Sequence, residues 1–272
     1  MCLAALAIHA HPHWPMLVLA NRDEFHHRPS APLHVWTDTH PVLLAGKDLQ
    51  SSGTWLGVNA RGYFALLTNV RNAELNRGET APSRGQLVLD ALSGLLPEVR
   101  QADHYSGFNL LAGQLLNHHG QVNVKLKCYT NQGASIPFEI PLPHGLHALS
   151  NGRMNEPWPK SQRLKLAVEK MLTWLPGEED EFTRERLEGA ALDVLSSTSQ
   201  AEDSELPNTG VPYEWEKMLS AVKIVSPVYG TRSSAMLALR ANGVLHFTEW
   251  TYTPTGEVAG TVRLQLQLNY TA

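Results

Sequence analysis

Two short apolar runs open the chain, residues 2–9 (CLAALAIH) and 16–20 (MLVLA), with Pro12 and Pro15 between them. This spacing predicts two buried antiparallel strands joined by a turn, so that the chain starts inside a sheet. Residues 55–69 (WLGVNARGYFALLTN) set Asn59-Ala60-Arg61-Gly62 between two runs rich in β-formers, which predicts a hairpin. Apolar positions at helical spacing follow Ser83, a candidate N-cap, and predict a helix over 84–96. Strands are expected to resume at 108–115 and 122–129. Helical periodicity returns over 159–174 and 182–195, with Pro176-Gly177 and an acidic run between the two segments. From 221 to 268 the pattern is again that of strands, turned at Ala241-Asn242-Gly243 and Pro254-Thr255-Gly256.

Strands at both ends with helices between them, and no regular βαβ alternation, predict an α+β fold. A four-layer αββα sandwich of antiparallel sheets fits that order, with the two central helices on one sheet face. The stretch 196–212 is polar and turn-rich and is expected to be a mobile loop. The segments 25–54 and 196–214 read as loops. No internal repeat or linker divides the chain, so residues 1–272 are read as a single domain.

Composition narrows the partners. A net charge of -4, from 22 basic and 26 acidic residues mixed along the chain, creates no field for a polyanion, and nucleic acid is not expected. No apolar run approaches the roughly 18–20 residues that cross a bilayer, so an integral membrane protein is not expected. The opening residues lack a signal peptide's features, and the protein is read as cytoplasmic. Its partners are expected to be small molecules; oligomeric state is not readable.

The chemistry starts at the cysteines, Cys2 and Cys128. Cys128 lies in an alternating run, VNVKLKCYT, and reads as a packing thiol. Removal of Met1 would give Cys2 a thiol and a free α-amine on one residue, and an amine with a pKa of roughly 7.7–8.0 can serve as the thiol's base. With Met1 retained, that amine is locked in a peptide bond. The bland alternative for Cys2 is a small core residue. Asn21-Arg22-Asp23-Glu24 follows MLVLA and is expected to end its strand. If the first two strands pair, Arg22 and Asp23 fall beside Cys2, where the arginine would favour a thiolate and the aspartate would orient the amine. The alternative is a solvated strand end with a local ion pair.

Met-Cys at the start, NRDE at 21–24, GTWLGV at 53–58, LTNVR at 67–71, SRG at 83–85, GFNLL at 107–111, LSN at 149–151, WPK at 158–160 and YGTR at 229–232 together resemble the NRDE family, also called the transport and Golgi organisation family. The resemblance implies an N-terminal-nucleophile-hydrolase-like αββα fold. More distantly, the chain is similar to cysteine amidases of the choloylglycine hydrolase type. That likeness implies Cys2 as nucleophile, Arg22 and Asp23 as the early charged pair, Asn69 and Asn151 as oxyanion or positioning asparagines, and Arg232 as a late arginine. Asn side chains can donate to an oxyanion without adding charge; their plain alternative is a turn cap after a strand.

The implied function is a cysteine amidohydrolase or acyltransferase on a small amide or acyl substrate. The alternative is a binding or trafficking protein for haem or a lipid-like ligand on the same scaffold, since the resembled family is tied to such handling without a settled reaction. Thirteen histidines, among them His9, His11, His13, His26, His27, His118 and His119, show no metal-ligand spacing. No metal and no cofactor are expected, and haem ligation by one exposed histidine stays open. The glycines and Trp55 of GTWLGV read as structural.

Overall fold

The computed structural model describes residues 2–78, 80–118, 120–133, 138–177 and 181–268. The chain runs β1 (Cys2–Ile8), β2 (Met16–Phe25), β3 (Ser30–Trp36), β4 (Leu43–Asp48), β5 (Leu56–Asn59), β6 (Tyr63–Asn69), α1 (Gly85–Leu92), α2 (Val99–Ala102), β7 (Phe108–His118), β8 (Gln121–Thr130), β9 (Glu139–Pro141) and β10 (Gly145–Leu149). It continues through α3 (Pro159–Leu172), α4 (Glu181–Leu195), α5 (Tyr213–Leu219), β11 (Tyr229–Leu239), β12 (Val244–Tyr252) and β13 (Val258–Gln267).

These strands form two sheets, ordered β10-β1-β2-β11-β12-β13 and β3-β4-β5-β6-β7-β8-β9, with every described pairing antiparallel. Alternation along the strands sorts the apolar residues into layers. Ala4, Leu6, Ile8, Met16 and Val18 face Phe64, Leu66 and Leu111 between the sheets. Leu3, Ala5, Leu17 and Leu19 face Leu164 and Val168 of α3 and Leu187 and Ala191 of α4 on the outer side of the first sheet. Leu87, Val88 and Leu92 of α1 cover the outer face of the second sheet against Ala65 and Phe108. The layers therefore run helix, sheet, sheet, helix, as the αββα expectation has it.

Five local expectations need correction. NRDE does not end β2: Arg22, Asp23 and Glu24 continue the strand, because β11 pairs with them as far as Phe25. The presumed loop 25–54 contains β3 and β4. Residues 221–228 are not a strand, and β11 begins at Tyr229. The stretch 196–212 is tied down at several points. Arg163 donates to the Ser199 and Gln200 carbonyls, Lys217 donates to that of Ala201, and Lys223 N–H reaches the Ser197 carbonyl. Ser83 Oγ accepts from Gly85 N–H at 3.3 Å just before α1, but the N-cap is Arg84, which makes no side-chain cap.

Candidate functional site

Register brings the sequence-predicted residues to one end of the sheets. In β1 and β2, Cys2 is opposite Arg22; in β2 and β11, Arg22 is opposite Ser233; in β11 and β12, Ser233 is opposite Thr251. One line across four strands thus runs from the chain start to Thr251, with steps of about 4.8 Å between strands. Met1 and the side chain of Cys2 lie outside the described residues, as does His119.

Arg22 is 6% exposed and points between the sheets, as Ala20 and Val18 do before it. One terminal nitrogen donates to Asp48 Oδ2 at 3.3 Å, and the guanidinium lies 4.3 Å from the centre of the Trp55 ring. Its other terminal nitrogen, Nη1, is buried and has no hydrogen-bond partner among the described residues. A small cavity of about 10 Å³, space for one water, adjoins it, lined by Leu3, Ala20, Trp55, Leu66 and Ser233 among others. Asp48 also accepts from Arg28 Nε at 2.6 Å and from the Gln50 and Ser51 N–H groups. Burial raises its carboxyl pKa, but the Arg28 and Ser51 hydrogen bonds and the two guanidinium charges outweigh that and hold it below the usual range. Asp48 was not anticipated, because the segment that carries it reads as a loop.

Asp23 faces the opposite way, toward the helices, and is 1% exposed. Its Oδ1 accepts from Thr231 Oγ1 at 2.6 Å. Burial pushes its carboxyl above the usual carboxylate range, against the pull of the Lys160 charge and the Thr231 hydrogen bond. Asn21 shares that face but holds the scaffold together, since its amide donates to the Leu195 and Val222 carbonyls and its oxygen accepts from Ser234.

Asn69 ends β6 and Asn151 follows β10. Asn151 Nδ2 donates to the Asn69 carbonyl at 3.0 Å and to Asn69 Oδ1 at 3.3 Å. Its own Oδ1 accepts from Ser150 Oγ and from Lys160 Nζ, which can only donate, so the amide is fixed with its nitrogen toward Asn69. The asparagines therefore divide the work. Asn151 is committed to its neighbour, whereas Asn69 Nδ2 has no hydrogen bond among the described residues. Arg71 N–H also binds the Asn151 carbonyl at 2.7 Å, and Asn109 and Gln132 hold the Gly152 carbonyl, which anchors the loop after β10.

Arg232 occupies the extra position of a bulge, since Thr231 and Ser233 pair with adjacent residues of β2. The bulge turns its guanidinium onto the Phe25, His26 and Arg28 carbonyls at 3.1, 2.9 and 3.3 Å. Burial lowers its pKa, and the nearby Arg22 charge lowers it further. A second pocket of about 170 Å³ lies beside it, lined by Pro32, Trp55, Arg232, Ser233, Glu249 and Thr251 among others. Glu249 accepts from Leu33 N–H at 2.7 Å. Burial pushes its carboxyl up to about 7 despite that hydrogen bond, one from Ser233 and the Arg22 charge. The alternation of β12, where Leu245 and Phe247 face the intersheet core, was the signal that could have found it.

Cys128 is a free, buried thiol whose pKa burial pushes up to about 12, in keeping with a packing role. Among the described residues no group of three His, Cys, Asp or Glu side chains is arranged to hold a metal. No helix among them is long and apolar enough to cross a membrane.

The model of the family described as Transport and Golgi organisation 2 matches residues 1–254. The chain belongs to the Transport and Golgi organisation 2 family. It is 33% identical over 252 residues to a Transport and Golgi organization protein 2 homolog of Bos taurus, covering 86% of this chain and 85% of that one. It is 34% identical over 251 residues to the Homo sapiens homolog, with the same shares covered. Among solved structures it is similar to a Caenorhabditis elegans ortholog of N-acylethanolamine-hydrolyzing acid amidase, at TM-score 0.43 and 12% identity, over 89% of this chain and 93% of that one. It is also similar to a mutant conjugated bile acid hydrolase from Clostridium perfringens, at TM-score 0.45 and 9% identity, over 97% and 92% of the two chains.

Proposed function

We propose that this member of the family is a cysteine N-terminal-nucleophile amidohydrolase or acyltransferase, acting on a small amide or acyl substrate through Cys2. The observation that carries the reading is convergence. Residues from β2, β6, the loop after β10 and the bulge of β11 gather at the sheet end where β1 begins.

In the proposed reaction, removal of Met1 frees the Cys2 amine, which takes the thiol proton. The sulfur attacks the substrate carbonyl carbon, and Asn69 Nδ2 donates to the oxyanion. The C–N bond then breaks, and the amine returns its proton to the departing nitrogen. Water attacks the resulting thioester, its proton passes to the Cys2 amine, and the carboxylic acid leaves as the thiol re-forms; an acceptor amine in place of water gives acyl transfer. Arg22 favours the thiolate, and Asp23 favours the charged form of the amine.

Intact-mass measurement on protein made in cells is the first test, with loss of Met1 expected. Iodoacetamide labelling at neutral pH follows, with Cys2 expected to react far faster than Cys128. Retention of Met1, or equal labelling of the two thiols, sinks the hydrolase reading.

A further inference from the structure

Lys160 has no part in the reaction as written, yet its placement is costly. Trp158 is extended, at φ -68 and ψ 144, and Pro159 opens α3, which puts Lys160 in the first helical turn. The helix dipole favours anions there, not cations. The residue is also only 1% exposed, a burial that lysine almost never accepts without a partner.

Two interactions of its head group lie in the site. Nζ donates to Asn151 Oδ1 at 3.4 Å, and its charge acts on Asp23. We infer that Lys160 is a positioning residue of the Cys2 site, which fixes the Asn151–Asn69 pair and supplies the buried positive charge that balances Asp23. The catalytic half of this inference rests on the function proposed above; the charge balance does not.

Beside the chain start, which lies outside the described residues, several groups act on Asp23. Lys160 comes from α3, Thr231 from β11 and Glu24 from its own strand. Arg71, in the segment after β6, also feels the Asp23 charge. It is engaged with Glu216 of α5 at 2.5 Å, whereas Lys160 heads the charges that lower the Asp23 pKa. Removing Lys160 leaves Asp23 buried without that charge. The folded-state pKa of Asp23 then stands further above its unfolded value, and stability is lost as pH rises through it.

The test is a set of thermal melts from pH 5 to 8 on the wild type, Lys160→Met, Lys160→Arg and the double variant Asp23→Asn/Lys160→Met. Lys160→Met is expected to lose melting temperature more steeply than the wild type as pH rises. Lys160→Arg should lessen that excess slope, and the double variant should abolish it, leaving no more than the wild-type slope. If Lys160→Met does not fold, folding of the double variant supports the pairing. A loss that is the same at every pH, a slope in the double variant as steep as in Lys160→Met, or failure of both to fold overturns it.

Hydrolysis of p-nitrophenyl acetate by processed protein reads the catalytic half. At pH 5.5, Lys160→Met is expected to lower kcat by about a hundredfold with KM unchanged. Unchanged kcat overturns that half. A processed wild type that releases no p-nitrophenolate sinks the hydrolase reading, and the melts still decide the charge balance.

Discussion

The guanidinium carbon of Arg22 stands 4.3 Å from the centre of the Trp55 ring, while one terminal nitrogen of the same group reaches Asp48. A buried cation between two sheets is thereby held by one aromatic face and one carboxylate. Gly46 makes the arrangement possible, because a Cβ there would stand 2.5 Å from the indole ring. Gly46→Ala is expected to displace Trp55 and Trp55→Leu to remove the face, each costing about 1–3 kcal/mol. Urea unfolding measures the loss, and a change of Trp fluorescence in Gly46→Ala would mark the displaced ring.

Asp48 is shared by Arg22 and Arg28, so its removal leaves two guanidinium groups without their common anion. Asp48→Asn is expected to cost about 2–4 kcal/mol. Because the native carboxyl is held below its unfolded value of about 3.9, its contribution is complete above that value and fades as pH falls through the folded one. Acid unfolding below pH 4 should therefore be shallower in Asp48→Asn than in the wild type, as followed by circular dichroism.

Glu249 has the opposite sign. Its folded pKa of about 7 lies above the unfolded value of about 4.3, so its contribution is present at low pH and declines as pH rises toward and through 7. Glu249→Gln is expected to flatten the decline of melting temperature between pH 5 and 8. An unchanged slope would show that the carboxyl is already ionised throughout that range.

Asn21 separates structure from chemistry within the NRDE segment. Asn21→Ala strands the Leu195 and Val222 carbonyls and leaves the Ser234 hydroxyl only its Tyr252 partner, and is expected to cost about 2–4 kcal/mol. Iodoacetamide labelling of Cys2 in the folded variant should keep its wild-type rate, whereas Arg22→Gln should slow it.

The elements legible in the sequence are those whose burial is regular. The β5–β6 hairpin, α3 and α4 each carry a period that matches their layers, and β1 is a continuous apolar run buried on both faces. β3 escaped because Pro32 and a bulge between Ala31 and His34 interrupt it, and because its burial follows no simple alternation. β4 escaped because Gly46 and Lys47 look like a turn, although Gly46 is there to admit Trp55. The polar end of β2 was misread because charges in a strand normally signal exposure, whereas Arg22 and Asp23 are each answered by partners distant in sequence. Lys160 shares that difficulty, since nothing local distinguishes a lysine in the first turn of a helix from an exposed one, whereas Glu249 continues the inward alternation of Leu245 and Phe247.

β1 carries one further consequence for the site. Leu3, Ala5 and Ala7 meet the helices while Ala4, Leu6 and Ile8 meet the other sheet, so both faces are apolar and polarity cannot tell one register from the next. What distinguishes them is volume, with alanines at 5 and 7 leaving room for Leu164 and Val168 of α3. Enlarging either alanine would push the whole strand along its neighbours, and a slip of one residue would move the chain start away from Arg22. The placement of the chain start beside Arg22 is thus set by the size of methyl groups several residues down the strand.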